Sequence, residues 1–282
     1  MGGLGNQLFQ IATIISYCIQ NNTDFVLPYS EKLTVGVERP TYWNNLFSFL
    51  KKYTTEENPT FYGDFLRQLP KYNEPDFMYN EIPGGIDNIQ LMGYFQSYKY
   101  FDDYRHLVLS TIGIPIVREQ ILEEFSDIYP IGKSDIITIS IHFRLGDYKE
   151  KQQFHPVLPY EYYECAFQNI PSEYLNCSKI LYFCEEEDRT HCDNIIQRLC
   201  EKYHFTSSPK CIDHNIHDWK QLLIMSHCKI NIIANSSYSW WAAYLNDNPK
   251  KIVIYPSIWF GSKITHNTVD MFPKNWIKIS WV

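Results

Sequence analysis

A regular alternation of strand-like and helix-like segments in the second half limits the fold of this 282-residue chain more than any other pattern in it. Short runs rich in isoleucine predict four buried strands, at Ile136 to Ile141, Ile180 to Cys184, Ile230 to Ala234 and Ile252 to Tyr255. Helical spacing of apolar residues predicts helices at Pro159 to Asn169, Thr190 to Tyr203, Asp218 to His227 and Ser239 to Leu245. This order predicts an α/β fold with a parallel sheet, in which ligands bind beyond the carboxyl ends of the strands.

The first half contains one strong helical pattern. Leu8, Ala12, Ile15 and Ile19 predict a helix that follows a flexible turn over Gly2 to Gly5. Because such a turn normally follows a strand, a short strand is expected before Met1. Weaker patterns predict strands at Phe25 to Leu27 and Ile89 to Gln96, and helices at Tyr98 to Ser110 and Arg118 to Phe125. Residues 30 to 88 have no sustained period and are expected to form mainly loops.

A polar cluster, His142 to Tyr148, directly follows the first predicted strand of the second half. Alternation along an extended segment places His142 and Arg144 on the same side of the chain, and Gly146 then turns it. The planar guanidinium of Arg144 suits a diphosphate, because it donates two parallel charge-assisted hydrogen bonds. Asp147 could orient that guanidinium, accept a proton or cap the next turn. For His142, a hydrogen-bonded core histidine is the competing interpretation.

Two further segments combine glycine or serine with amide side chains at the start of predicted helices. In the glycine-rich turn near the N-terminus, the candidate ligand contacts are Gly3, Gly5, Asn6 and Gln7. After the strand Ile230 to Ala234, they are Asn235, Ser236, Ser237 and Ser239. Free backbone N–H groups, hydroxyls and the helix dipole favour phosphate at such positions. A tight structural turn and an ordinary helix cap are the competing interpretations.

The composition disfavours several classes of function. The net charge is −7 at pH 7, so the protein has no broad positive field for nucleic acid or an anionic membrane surface. With no secretory signal and no run of about 18 apolar residues, we expect a cytoplasmic protein without a transmembrane segment. The eight cysteines include no CxxC pair, so we expect free thiols and no zinc site.

Three segments together resemble the signature blocks of glycosyltransferase family 11, the α-1,2-fucosyltransferases: GGLGNQLFQ, HFRLGDY and NSSYSWWAAYLN. The HxRxGD part of the second block is shared with α-1,6- and protein O-fucosyltransferases. The resemblance implies a GT-B-like fold of two Rossmann-like domains with a cleft between them. It places an N-terminal acceptor-side domain at residues 1–130 and a C-terminal domain that binds the GDP-sugar at residues 131–282.

The resemblance also implies a reaction. The family transfers L-fucose from GDP-fucose to a hydroxyl of an acceptor glycan, here expected to be a galactose 2-hydroxyl, with inversion of the anomeric carbon. No metal or other cofactor is expected, so protein groups must meet the charge on the departing diphosphate. We expect Arg144 to do so, helped by Ser236, Ser237 and Ser239 and by the turn from Gly3 to Asn6. His142 is a further candidate contact with the donor.

The identity of the base stays open at this point. Asp147, Glu150 and His155 all follow Arg144 closely, and Asp147 or Glu150 is expected to act. Glu185 is a further candidate for donor binding. Residues 183–186 stand where the family tends to have Phe-Ser-Asp-Asp, and Glu185 occupies the position of the first aspartate. The chain departs from that sequence, with Cys184 in place of serine and glutamates in place of aspartates.

Two other functions fit the same residues. The scaffold could use another GDP-sugar or form another linkage, because the motifs describe only the GDP end of the donor. Alternatively, the chain could be a glycan-binding protein that has lost catalysis, for which the aromatic content of 16% would be suitable. In each enzyme reading the partners are a GDP-sugar and an acceptor glycan, and residues 30 to 110 are expected to shape the acceptor site.

Overall fold

The computed structural model describes residues 1–34, 37–58, 64–86, 88–133, 135–175, 177–205 and 207–281. By its contacts the chain divides into two compact units. The first comprises Met1–Arg118 and His266–Pro273, and the second comprises Glu119–Thr265 and Lys274–Val282. A domain boundary at residue 130 stays a prediction, and the contacts divide the chain somewhat earlier and return a short C-terminal segment to the first unit.

The first unit is built around the long helix α1 (Leu4–Asn21), which buries Leu8, Ala12 and Ile15. This helix begins at Leu4, so the predicted flexible turn is wrong at Gly5, which is helical. Gly2 alone has the left-handed backbone that the turn requires, with φ of +79°. A Cβ atom at Gly2 would lie 2.3 Å from the amide nitrogen of Asn6, so only glycine fits there.

The other elements of the first unit are short: β1 (Lys32–Leu33), β2 (Arg39–Pro40), α2 (Asp64–Gln68), β3 (Lys71–Asn73), β4 (Gln90–Met92), α3 (Arg105–Ile112) and the first part of α4 (Ile114–Phe125). Strands β1 and β2 pair antiparallel, and β3 and β4 pair parallel. The strand predicted at Phe25 to Leu27 is wrong, because the segment has only a single bridge, from Leu27 to Thr54. A strand needs a partner along its length, and the residues before Thr54 form a turn of 3-10 helix.

The second unit contains the sheet that the alternation predicts. Its elements in chain order are β5 (Ile137–His142), α5 (Tyr160–Gln168), α6 (Ser172–Leu175), β6 (Ser178–Phe183), α7 (Arg189–Lys202), β7 (Lys210–Cys211), α8 (Asp218–Ser226), β8 (Ile230–Ile232), α9 (Ser237–Leu245), β9 (Ile252–Pro256) and β10 (Ile277–Ile279). The six strands lie in the order β7-β6-β5-β8-β9-β10, and every pair is parallel. This is the strand order of a Rossmann-like domain, and the predicted α/β class with a parallel sheet is confirmed. In the described residues of the first unit the strands form only two two-stranded sheets, and the GT-B-like pair of Rossmann-like domains stays a prediction.

The strand order reverses between β5 and β8. The chain runs outward from β5 through β6 and β7, then restarts at β8 beside β5 and runs outward in the other direction. The two central strands are in register, with Ile139 opposite Ile230 and Ile141 opposite Ile232. Ligands of such sheets bind in the crevice outside the carboxyl ends at this reversal. The loops that follow β5 and β8 are therefore the first places to look for a site.

A buried polar network ties these central strands together. Asn231 on β8 donates to Ser140 Oγ on β5 at 2.7 Å and to the carbonyl oxygen of Met225 at 2.9 Å. Asn246, at the end of α9, donates to Asn231 Oδ1 at 2.9 Å. All three polar side chains are buried, so the network fixes the positions of both strands and of the helix that follows β8.

No helix in the described residues is both long enough and apolar enough to cross a membrane.

Candidate active site

Arg144 lies two residues beyond the end of β5 and is held by two carboxylates. Its Nη1 contacts Glu185 Oε1 at 2.5 Å, and its Nη2 contacts Asp147 Oδ1 at 2.5 Å. The guanidinium also lies 4.9 Å from the centre of the Tyr148 ring. The side chain keeps 22% of its surface exposed, so it remains within reach of a ligand in solvent.

Gly146 allows this arrangement. Its φ of +34° belongs to the left-handed region, and a Cβ atom there would lie 2.5 Å from Glu185 Oε2. The Gly146 N–H donates to Asp188 Oδ2 at 3.0 Å, and Asp188 also pairs with Lys149. A side chain at this position would therefore push Glu185 away from Arg144 and disturb the turn.

His142, the last residue of β5, is buried with 7% of its surface exposed. Its ring lies 5.3 Å from the ring of Tyr238, and its Nδ1 has no hydrogen-bond partner among the described residues. Burial, with a smaller contribution from the charge of Arg144, lowers the pKa of His142 from 6.5 to about 3. The imidazole is therefore neutral at physiological pH, and this orphaned nitrogen could bond to a ligand.

The loop after β8 is fixed by Asn235. Its Nδ2 donates to the carbonyl oxygens of Pro156 at 2.9 Å and Trp259 at 3.2 Å, and the side chain is buried. The Asn235 carbonyl oxygen in turn accepts from the hydroxyl of Tyr148 at 3.2 Å. Asn235 thus joins the loops after β5, β8 and β9, whereas its predicted contact with the donor stays a prediction.

The three serines at the start of α9 differ in accessibility. Ser236 is the N-cap, and its hydroxyl accepts from the N–H of Tyr238 at 3.3 Å. The Ser239 hydroxyl is fully buried and lies 3.4 Å from the carbonyl oxygens of Ala234 and Ser236. Ser237 is half-buried. Capping by Ser236 leaves the N-terminus of α9 able to favour an anion, with Ser237 as its more accessible hydroxyl.

The candidate bases have different surroundings. Asp147 contacts Arg144 and lies 3.5 Å from Lys151. Glu150 is exposed and has no hydrogen bond or ion pair with the described part of the chain. His155 stacks on Tyr148 with ring centres 4.8 Å apart, and burial lowers its pKa. Asp147 therefore positions Arg144, while Glu150 is the carboxylate with no competing partner.

The residues of the N-terminal turn lie in the first unit. Asn6 Oδ1 accepts from Gln96 Nε2 at 2.7 Å, and Gln7 Nε2 donates to the carbonyl oxygens of Gly2 at 3.1 Å and Pro40 at 2.9 Å. Gly3 is the N-cap of α1, and Gly5 lies in its first turn. These bonds hold the turn in place, and its contact with a donor stays a prediction.

A cluster of three acidic side chains adjoins the site. Among the described residues, Glu185, Glu187 and Asp188 bring three carboxylate oxygens within 4.8 Å of one another. Asp188 is already paired with Lys149 and bonded to the Gly146 N–H. The prediction that the protein uses no metal stays a prediction.

Sequence reasoning missed three residues that shape this region. Tyr148 packs between Arg144 and His155 and bonds to the loop after β8. Tyr238 covers His142, and Asp188 fixes the Gly146 turn. Tyr148 and Tyr238 stand inside two of the motifs, so their positions were visible. Asp188 follows β6, and only the sheet order brings it beside β5.

The chain is similar to known glycosyltransferases along nearly its whole length. The family model described as Glycosyl transferase family 11 matches residues 2–280. The "O-antigen biosynthesis glycosyltransferase WbnK" of Escherichia coli is 28% identical over 99% of this chain and 98% of its own. The "Alpha-1,2-colitosyltransferase" of Escherichia coli is 27% identical over 99% of this chain and 96% of its own.

Among solved structures, POFUT1 in complex with GDP is similar with a TM-score of 0.48 at 11% identity, covering 90% of this chain and 95% of that chain.

Proposed function

Because the chain belongs to glycosyl transferase family 11, and is therefore a glycosyltransferase, we propose that it transfers L-fucose from GDP-fucose to the 2-hydroxyl of a galactose in an acceptor glycan. One observation carries the choice of a nucleoside diphosphate donor. Arg144, partly exposed, stands at the carboxyl end of β5, where the strand order reverses beside the N-terminus of α9. A guanidinium and a helix N-terminus at such a reversal suit a diphosphate.

The two carboxylates on Arg144 have separate roles in this proposal. Asp147 lies three residues from Arg144 in the same turn and keeps the guanidinium oriented. Glu185 comes from the end of β6, and 48% of its side chain is exposed, so it can move away into solvent. A diphosphate then takes the place of Glu185 at Nη1, because two anions cannot share that position at low energy.

The transfer step follows from this arrangement. The acceptor hydroxyl oxygen attacks the anomeric carbon, and the bond from that carbon to the phosphate oxygen breaks. The electron pair of the broken bond stays on GDP, where Arg144 and the α9 N-terminus meet the developing charge. The hydroxyl proton passes to a carboxylate, which we assign to Glu150 because it is exposed and has no partner in the described residues.

A second donor has specific support. A relative named for α-1,2-colitosyl transfer aligns along nearly the whole chain. Colitose is L-fucose without its 3-hydroxyl, so the two donors would differ by one hydrogen-bonding group. Incubating the protein with GDP-fucose and GDP-colitose in separate assays, and comparing kcat/KM, decides between them. The linkage is read from the product by NMR.

The role of Arg144 is tested by Arg144→Ala. We expect GDP affinity, measured by calorimetry, to fall at least about 100-fold, because two charge-assisted hydrogen bonds are lost. Transfer, measured as GDP release, is expected to be abolished. Arg198→Ala is the matched control, since Arg198 also stacks on a ring, that of Tyr160, at 3.6 Å. The control is expected to keep wild-type GDP affinity. Near-normal turnover by a folded Arg144→Ala protein would refute the proposal.

The role of Glu150 is tested by Glu150→Gln. Loss of a general base lowers kcat by about 100-fold to 10,000-fold, and GDP affinity is expected to stay the same because Glu150 does not contact Arg144. The pH dependence of kcat is measured together with its value. If Glu150→Gln retains wild-type kcat and Asp147→Asn loses it without a change in GDP affinity, the base is Asp147 instead.

A further inference from the structure

The first unit contains an open cavity of about 100 Å³ that none of the motifs describes. It lies along α1, which contributes Thr13, and it is also lined by Tyr79, Glu81, Lys99, Tyr100 and Asp103. All of these residues belong to the first unit. The cavity is smaller than the pockets that enclose a drug-sized ligand, and it suits a single sugar ring at most.

The lining combines an aromatic ring with carboxylates. The side chain of Tyr79 is 39% exposed, and its ring lies 4.9 Å from that of Tyr100, which holds it in place. Glu81 and Asp103 are both exposed. An exposed ring can cover the apolar C–H face of a pyranose, while carboxylates accept hydrogen bonds from its hydroxyls.

The charges in the cavity disfavour a phosphate. Lys99 is the cationic residue among those that line the cavity, and it already pairs with Asp270. Asp270 lies in the C-terminal segment of the same unit. Glu81 and Asp103 would therefore repel an anionic ligand. A neutral ligand with several hydroxyl groups fits the cavity better.

Thr13 supplies an independent indication that the cavity suits a polar ligand. Its side chain is buried, with 1% of its surface exposed, and its hydroxyl has no hydrogen-bond partner among the described residues. Leaving a buried hydroxyl unpaired is destabilising, because the group has lost its hydrogen bonds to water. Because Thr13 lines the cavity, a bound polar molecule can supply the missing partner.

We propose that the cavity binds a sugar ring of the acceptor glycan. The proposal rests on the proposed function, in which an acceptor glycan supplies the hydroxyl that receives the transferred sugar.

The test compares Tyr79→Ala and Thr13→Val with wild type, using lactose as the acceptor. We expect Tyr79→Ala to raise the KM for lactose about tenfold, and Thr13→Val to raise it about threefold, with little change in kcat. Tyr94→Ala is the matched control, because Tyr94 lies in the same unit with 40% of its side chain exposed and is not part of the cavity. It is expected to keep the wild-type KM.

Saturation-transfer NMR with lactose, in the absence of donor, separates this proposal from the proposed function. If wild type binds lactose and Tyr79→Ala loses the signal, the cavity is a sugar site even when no GDP-sugar is a substrate. If both cavity variants keep the lactose signal and a KM within twofold of wild type, the cavity proposal is overturned and the proposed function is unaffected. A higher melting temperature of Thr13→Val with unchanged binding would likewise assign Thr13 to packing alone.

Discussion

At the scale of single residues, His142 shows how a site can depend on a group that stays uncharged. The imidazole is buried beside Tyr238, and both burial and the positive charge of Arg144 oppose its protonation. A protonated His142 would place a second cation near Arg144 in a region of low dielectric. The neutral ring instead leaves the guanidinium as the positive group at the end of β5.

This state of His142 predicts a pH dependence of stability. Its pKa is about 3 in the folded protein and near 6.5 when unfolded, so the unfolded chain binds one more proton between these values. The contribution of His142 is fully present above about pH 6.5 and is lost as the pH falls toward 3. The free energy of unfolding is measured with denaturant at pH 7, 6 and 5. For each unit by which the pH falls, it should decrease less in His142→Asn than in wild type, with a difference of up to about 1.4 kcal/mol. Parallel curves for the two proteins would contradict the burial argument.

At the scale of elements, the regular segments of the second unit were predictable and the irregular ones were not. The strands β5, β6, β8 and β9 and the helices α5, α7, α8 and α9 lie within two residues of their predicted ends. The two outer strands were missed, because β7 has two residues, Lys210–Cys211, and β10 has three, Ile277–Ile279. Segments this short have no period that the sequence can reveal. In the first unit, residues 98–104 form 3-10 turns, and α3 begins only at Arg105.

The pair between Arg144 and Glu185 links the ends of β5 and β6 and predicts the effect of Glu185→Gln. If the Glu185 carboxylate competes with the diphosphate for Nη1 of Arg144, the neutral amide of the glutamine variant should compete less well. Because both side chains are partly exposed, the pair is worth at most about 1 kcal/mol, so GDP affinity is expected to rise about two- to fivefold. Calorimetry at low and high salt measures the GDP affinity, and the gain in affinity should be smaller at high salt because salt screens exposed charges. A fall in affinity would assign Glu185 to binding the donor directly.

At the scale of the whole molecule, the sequence predicts which loops matter but not how they meet. The motifs at His142 to Tyr148 and Asn235 to Ser239 were each placed after a strand, and the structure puts those strands side by side. Their adjacency follows from the reversal of strand order, which chain order alone does not determine. For the same reason Glu185, forty-one positions from Arg144, could not be identified as its partner.

The return of residues 266–273 to the first unit has a consequence for engineering. Within that unit, Ser97 Oγ donates to the carbonyl oxygen of Asp270 at 2.6 Å, and the His266 ring stacks on Phe77 at 4.6 Å. A chimera that joins the N-terminal part of this chain to the C-terminal part of a relative at one crossover would replace these partners with foreign residues. Exchanging the first unit between family members therefore calls for two grafts, in which residues 266–273 are replaced together with the N-terminal part.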